Sequence, residues 1–139
     1  MDPQFLFELE ELLDEGQYET VLERLEELGE DEMNSEYRFA QATALFGLER
    51  SKEALSVLQT YYEEPSEDDL RYHLLLAQIY YDLFEFHAAL REARSCLKIN
   101  DNVAEVWFLL FSIYEVFGAE KAKTRAYQKA VEADEEYVR

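Results

Sequence analysis

Side chains able to do covalent or acid–base chemistry are sparse and scattered in this sequence. His73 and His87 are its two histidines, and Cys96 is its single cysteine. No His-Glu-x-x-His pair, glycine-rich phosphate loop or calcium-binding loop occurs, so the arrangements that set a base beside a metal or nucleophile are missing. One thiol forms neither an internal disulfide nor a multi-thiol metal site. Cys96 stands where a small buried residue is expected and lacks a sequence signal for an activated thiol. His73 is expected in a packing position and His87 at the surface beside a turn. Carboxylates are abundant, 32 Asp and Glu in all, and are expected on solvated helix faces. Nothing in their pattern predicts the raised pKa and paired geometry of catalytic acids. The expectation is a non-enzymatic protein with no cofactor and no metal.

What remains is charge and its placement. Thirteen Lys and Arg stand against the 32 acids, giving a net charge of −19 and a sequence pI near 4.3. A field of that sign repels phosphates, which argues against nucleic acid and against anionic membrane surfaces as partners. The charge is uneven. Residues 1–36 hold fourteen acids and one base, Arg24, whereas residues 37–139 hold eighteen acids and twelve bases. Such an acidic head speeds encounter with a basic protein or peptide; the same acids also suit the solvated outer face of a terminal hairpin. Lys121, Arg125 and Lys129 fall four apart on one helical stretch, and Arg91, Arg94 and Lys98 form a weaker row. Helix dipoles account for Lys98 and Lys129 without a ligand. Attraction between the basic row, as an end interface, and the acidic head of another copy gives an expectation of weak homo-oligomerisation.

A chain of 139 residues that is 48% hydrophobic, with four glycines and two prolines, has enough apolar surface to fold as one domain over 1–139. The start, Met-Asp-Pro-Gln-Phe-Leu-Phe-Glu, has no basic region, and Glu8, Glu10 and Glu11 interrupt its apolar stretch. No run approaches the roughly 18 apolar residues that span a bilayer. A cytoplasmic location is expected.

The elements that position these residues are helices throughout. Apolar residues return every three or four positions and period-2 alternation is absent. Phe5, Leu9, Leu12 and Leu13 form one stripe that ends before Gly16, and Val21, Leu22, Leu25 and Leu28 form a second that stops at Gly29. A polar stretch over 30–35 follows, with Asn34 or Ser35 as cap of a third helix reaching about residue 48. A fourth covers about 52–62. Pro65 and Ser66 break the pattern, and Ser66 or Asp68 is expected to cap a fifth helix that reaches about residue 83. The sixth covers about 86–99, the seventh follows Asn100-Asp101-Asn102 and ends at Gly118, and the eighth covers about 120–134. These make four hairpins. Their turns begin at Gly16, Glu49, Phe84 and Gly118, separated by 33, 35 and 34 residues. A repeat of about 34 residues marks a helical-hairpin array with units at about 2–33, 34–66, 67–101 and 102–135.

Small Ala42, Ala54, Ala77 and Ala89 stand where paired helices approach, and large Leu58, Tyr80, Tyr114 and Tyr127 where space to the next hairpin is filled. With Trp107, Leu110, Phe111, Gly118 and Ala130 in the fourth unit, and His73, Leu76, Phe86, Ala93 and Cys96 in the third, the chain resembles the tetratricopeptide repeat family. That resemblance implies an all-α fold, a right-handed α–α superhelix whose first helices line a concave groove. The inward positions it implies are Phe39, Thr43 and Phe46 in the second unit, Arg71, Gln78 and Tyr81 in the third, and Phe108 and Ser112 in the fourth. Leu74, Leu75, Phe108 and Leu109 are also open to a core role. Some family members clamp a peptide's terminal carboxylate with several Lys, Asn and Arg. Here the matching places hold Leu6, Glu10, Ala40 and Thr43, and Arg71 alone brings charge, so a clamp is not expected. The role the resemblance implies is a protein-binding adaptor or scaffold for a peptide or small domain. A cytosolic secretion-type chaperone, and a structural subunit associating through its terminal helices, are the alternative expectations.

Overall fold

The computed structural model describes residues 2–61 and 69–138. Among them are eight α-helices, one short 3-10 turn and no strand. Three of the helices begin at a side chain that accepts one of their first amides. In α1 (Pro3–Asp14) the Asp2 carboxylate accepts the Gln4 N–H at 3.0 Å, and Pro3 occupies a first-turn position where its missing N–H costs nothing. In α3 (Ser35–Gly47) the Asn34 side chain accepts the Tyr37 N–H at 2.9 Å. In α5 (Leu70–Asp82) the cap is Asp69, which accepts the Tyr72 N–H at 3.2 Å. The expected breakers and caps Pro65, Ser66 and Asp68 lie outside the described residues, as does the expected end of the fourth helix at residue 62. The remaining helices are α2 (Tyr18–Glu26), α4 (Ser51–Tyr61), α6 (Phe86–Ile99), α7 (Ala104–Phe117) and α8 (Glu120–Val138). The acidic stretch after α2, expected as a plain polar separator, contains the 3-10 turn Glu30–Glu32. α8 runs past its expected end at Asp134.

Gly16, Glu49, Phe84 and Gly118, the turn residues spaced along the sequence, are the four described residues at positive φ, at 76°, 64°, 65° and 70°. Each closes its helix with the same two hydrogen bonds. The left-handed residue's own N–H donates to the carbonyl three residues back, at 3.0–3.1 Å, from Gly16 to Leu13, Glu49 to Phe46, Phe84 to Tyr81 and Gly118 to Glu115. The next N–H reaches five residues back, from Gln17 to Leu12, Arg50 to Leu45, Glu85 to Tyr80 and Ala119 to Tyr114, at 2.8–3.0 Å. This is the Schellman closure, which satisfies carbonyls the helix leaves open. Glycine adopts that conformation freely, whereas a residue with a Cβ is strained by about 1 kcal/mol. Phe84 is 79% exposed and so loses little packing on truncation. Phe84→Gly and Glu49→Gly are each expected to stabilise the protein by about 0.5 kcal/mol, the relieved strain being offset in part by glycine's extra freedom when unfolded. Thermal unfolding checks this, and a lower Tm for both variants contradicts it.

The chain divides into two compact units, Met1–Pro65 and Ser66–Arg139. In the first, α1 packs on α2 and α3, α2 on α3, and α3 on α4. Its core gathers Leu9, Val21, Leu25, Tyr37, Ala40 and Ala44, with the Phe5 ring set edge-on to Tyr37 at 5.3 Å. In the second unit α5 packs on α6, α6 on α7, and α7 on α8, with α5 also touching α7. Its core gathers Ala77, Ala89, Ala93, Cys96, Val106, Leu110, Ile113 and Ala126. Ala42, Ala54, Ala77 and Ala89 are all fully buried, as their place at helix approaches requires. Tyr127 differs from its expected filling role, being 51% exposed with its ring 5.7 Å from Phe111.

Candidate functional site

In the first unit Phe39, Thr43 and Phe46 are all half-buried on α3, on the side left open when Tyr37, Ala40 and Ala44 turn into the core. Ala40, one of the matching inward places, belongs to that core. In the second unit Arg71 is exposed while Gln78 and Tyr81 are half-buried on α5; Phe108 is exposed and Ser112 half-buried on α7. Leu75 is buried, Leu74 and Leu109 pack against the core from its edge, and Phe108 remains 41% exposed. Of the four residues open to a core role, Phe108 is thus the one that faces solvent most. Tyr81 is steadied by an edge-on contact with Phe86, ring centres 5.4 Å apart. The hydroxyls of Thr43 and Ser112 donate to their own helix carbonyls, at Phe39 (2.8 Å) and Phe108 (3.2 Å). These two residues therefore offer a ligand lone pairs before they offer a proton.

The residues with reactive potential are held in structural pairings. Cys96 is fully buried, and its thiol lies 3.9 Å from the Leu70 carbonyl. Burial, reinforced by the Glu92 carboxylate, pushes its pKa up to about 11. The thiol form is thus retained in the fold. Its contribution to stability is full below the pKa of a free thiol, about 8.5, and is lost as pH rises towards about 11. Native protein at about pH 8 is expected to react with iodoacetamide far more slowly than urea-unfolded protein, as mass spectrometry would read; equal rates contradict this. His73 Nδ1 lies 2.7 Å from a Glu92 carboxylate oxygen, both side chains being mostly covered. His87 is exposed and stacks on Phe117 at 5.0 Å. Among the described residues no group of three or more His, Cys, Asp and Glu is placed to hold a metal ion, and no helix is long and apolar enough to cross a membrane.

Each unit also has a cleft on the side of its second helices. In the first unit Arg38 and Arg50 border a cleft of about 490 Å³ between α2, α3 and α4. Their cations are engaged. Arg38 reaches the Glu30 carboxylate at 2.7 Å and Gln41 at 3.1 Å, and Arg50 grips both oxygens of Glu53 at 2.9 and 2.6 Å. That hydrogen bond holds Glu53 below the usual carboxylate range. In the second unit Lys121, Arg125 and Lys129 are exposed along α8 and border adjoining clefts of about 600 and 410 Å³, together with Leu97 and Trp107. The spacing of the α8 row was readable in sequence; its convergence with the end of α6 and with Trp107 was not. Also unread was the exposed aromatic group at the α5–α6 turn, where Phe84 lies 6.0 Å from Phe86. Sequence spacing marked Phe84 only as a turn residue. The chain matches no protein-family model and none of the curated proteins it was compared with.

Proposed function

We propose that the chain is a non-catalytic protein–protein interaction module of tetratricopeptide type, an adaptor or scaffold that takes a peptide or small domain on the first helices of its hairpins, α3 in the first unit and α5 and α7 in the second. The observation that carries this reading is that each unit leaves aromatic and polar side chains incompletely buried on its first helices, Phe39, Thr43 and Phe46 on α3 in the first, and Gln78 and Tyr81 on α5 and Phe108 on α7 in the second. Aromatics partly covered by their own fold lose little further entropy when a partner covers the rest, and beside polar groups they make the composition of a recognition surface. The tetratricopeptide assignment is supported by four hairpin turns with one hydrogen-bond pattern at a spacing close to 34 residues. Tight packing of alanines between paired helices also supports it.

The test compares wild-type protein with a Phe46→Ala, Tyr81→Ala double variant in affinity capture, followed by a titration with the captured protein. Removing these two aromatics, one in each unit, is expected to weaken binding at least about tenfold while circular dichroism stays unchanged. Undiminished binding by a folded variant would overturn the use of these positions.

A further inference from the structure

The two second-helix clefts are built alike and charged differently. In the first unit every arginine on the cleft is matched by a carboxylate of the same chain, Arg38 by Glu30 and Arg50 by Glu53. In the second, Lys98, Lys121, Arg125 and Lys129 border the clefts, and none has an ion-pair partner among the described residues. The carboxylates lining the same space are Asp101 and Glu132, so the surface is locally positive in a chain of net charge −19. Four cations are left bordering clefts whose counterpart in the first unit has its arginines paired with internal acids.

The rest of the lining says what kind of anion fits. The Trp107 indole N–H donates to the Asp101 carbonyl at 2.7 Å, so the ring offers a ligand its apolar surface, not its donor. Leu97, Tyr114 and Ala122 continue that apolar floor beneath Lys121 and Arg125. The volumes, about 600 and 410 Å³, lie in the range of sites that enclose a few side chains. Arg125 brings a planar fork suited to a carboxylate, and the three lysines bring mobile point charges around it. Ionic screening over about 8 Å gives the charges that border the clefts the greatest weight there. A nucleic-acid strand fits less well, because its phosphates run on beyond four cations into the negative field.

We propose that the cleft bordered by Lys98, Trp107, Lys121, Arg125 and Lys129 is a second binding site, for an acidic peptide segment that carries an apolar side chain. Its carboxylates take the places that Glu30 and Glu53 fill in the first unit, and its apolar side chain lies on Trp107 and Leu97. The site shares no residue with the recognition positions proposed on α3, α5 and α7 and stands whether or not those bind anything.

A random-peptide display library selected on the purified protein tests this, with soluble versions of the enriched peptides measured by fluorescence anisotropy and mapped by amide chemical shifts. Expected are sequences pairing two or more Asp or Glu with an aromatic or aliphatic residue. Their shifts should cluster at 97–107 and 121–132, and affinity should fall as salt rises. Binding should weaken at least about tenfold in Arg125→Glu, Lys129→Glu and in the milder Arg125→Gln, Lys129→Gln variant, and stay unchanged in Phe46→Ala, Tyr81→Ala. Enrichment of basic peptides, no enrichment, or equal binding to the folded charge variants overturns the proposal. So does a stronger response to a single-stranded oligonucleotide. Sedimentation showing a dimer that the charge reversal abolishes would give the cleft to a second copy, and would likewise overturn it.

Discussion

Leu110→Ala is expected to lower the stability of the protein by about 3–4 kcal/mol, near the middle of the range for truncating a buried leucine. Leu110 is fully buried in the core of the second unit. Four of its companions there are alanines, Ala77, Ala89, Ala93 and Ala126. An alanine has no side-chain torsion with which to swing into a void, so the cavity left by the missing isobutyl group stays largely open. Leu110→Met, which nearly conserves volume, is expected to cost less than about 1.5 kcal/mol. Urea unfolding followed through Trp107, the single tryptophan of the chain, reads both. Trp107 packs against the same cluster and reports on it directly. A loss below about 1 kcal/mol for the alanine variant would mean that the helices close over the gap, contrary to the close packing described.

Gly47→Ala is expected to destabilise by about 2 kcal/mol, although helix propensity alone favours alanine by about 1 kcal/mol. Gly47 is the last residue of α3, and a Cβ there would lie 2.5 Å from Cε2 and Cζ of Tyr18. Tyr18 opens α2 and packs half-buried against the first unit's core, so its ring moves only by giving up that packing. The decisive form is a double-mutant cycle. In a Tyr18→Ala background the obstacle is gone, and Gly47→Ala is expected to become neutral or slightly stabilising. An equal cost in both backgrounds would show that the ring is not what excludes the methyl group.

These two residues mark where the sequence is and is not informative. Leu110 is legible, because a leucine in the middle of a three-and-four-residue stripe on a helix of an alanine-rich pair has few places to go but the core. Gly47 is not. No local rule asks for glycine at the last helical residue, two positions before the left-handed one, and the need arises from Tyr18, far away in the chain. The same division runs through the turns. Gly16 and Gly118 announce left-handed helix ends by residue type, whereas Glu49 and Phe84 announce nothing locally and are found by their spacing from the glycines. The acidic run at Glu30–Glu32 reads as a linker, yet Glu30 reaches into the first unit's cleft to engage the largely buried Arg38. The row Lys121, Arg125 and Lys129 is visible as a spacing on one helix. That Lys98 and Trp107 meet the same space depends on how α6, α7 and α8 pack, which periodicity does not specify. Among the groove positions, the pattern of threes and fours places side chains on a face, but which of them the core then takes, as it takes Ala40 and Leu75, is settled by packing.

The proposed function places partners on α3 of the first unit and on α5 and α7 of the second. Amide hydrogen exchange, measured on the protein alone and saturated with its captured partner, tests it most directly. Protection is expected to rise in 36–47, 71–82 and 105–113, with α2, α4 and α6 changing little. Protection confined to α4, α6 and α8, with no change in those three segments, would contradict the claim and move recognition to the opposite side of the hairpins.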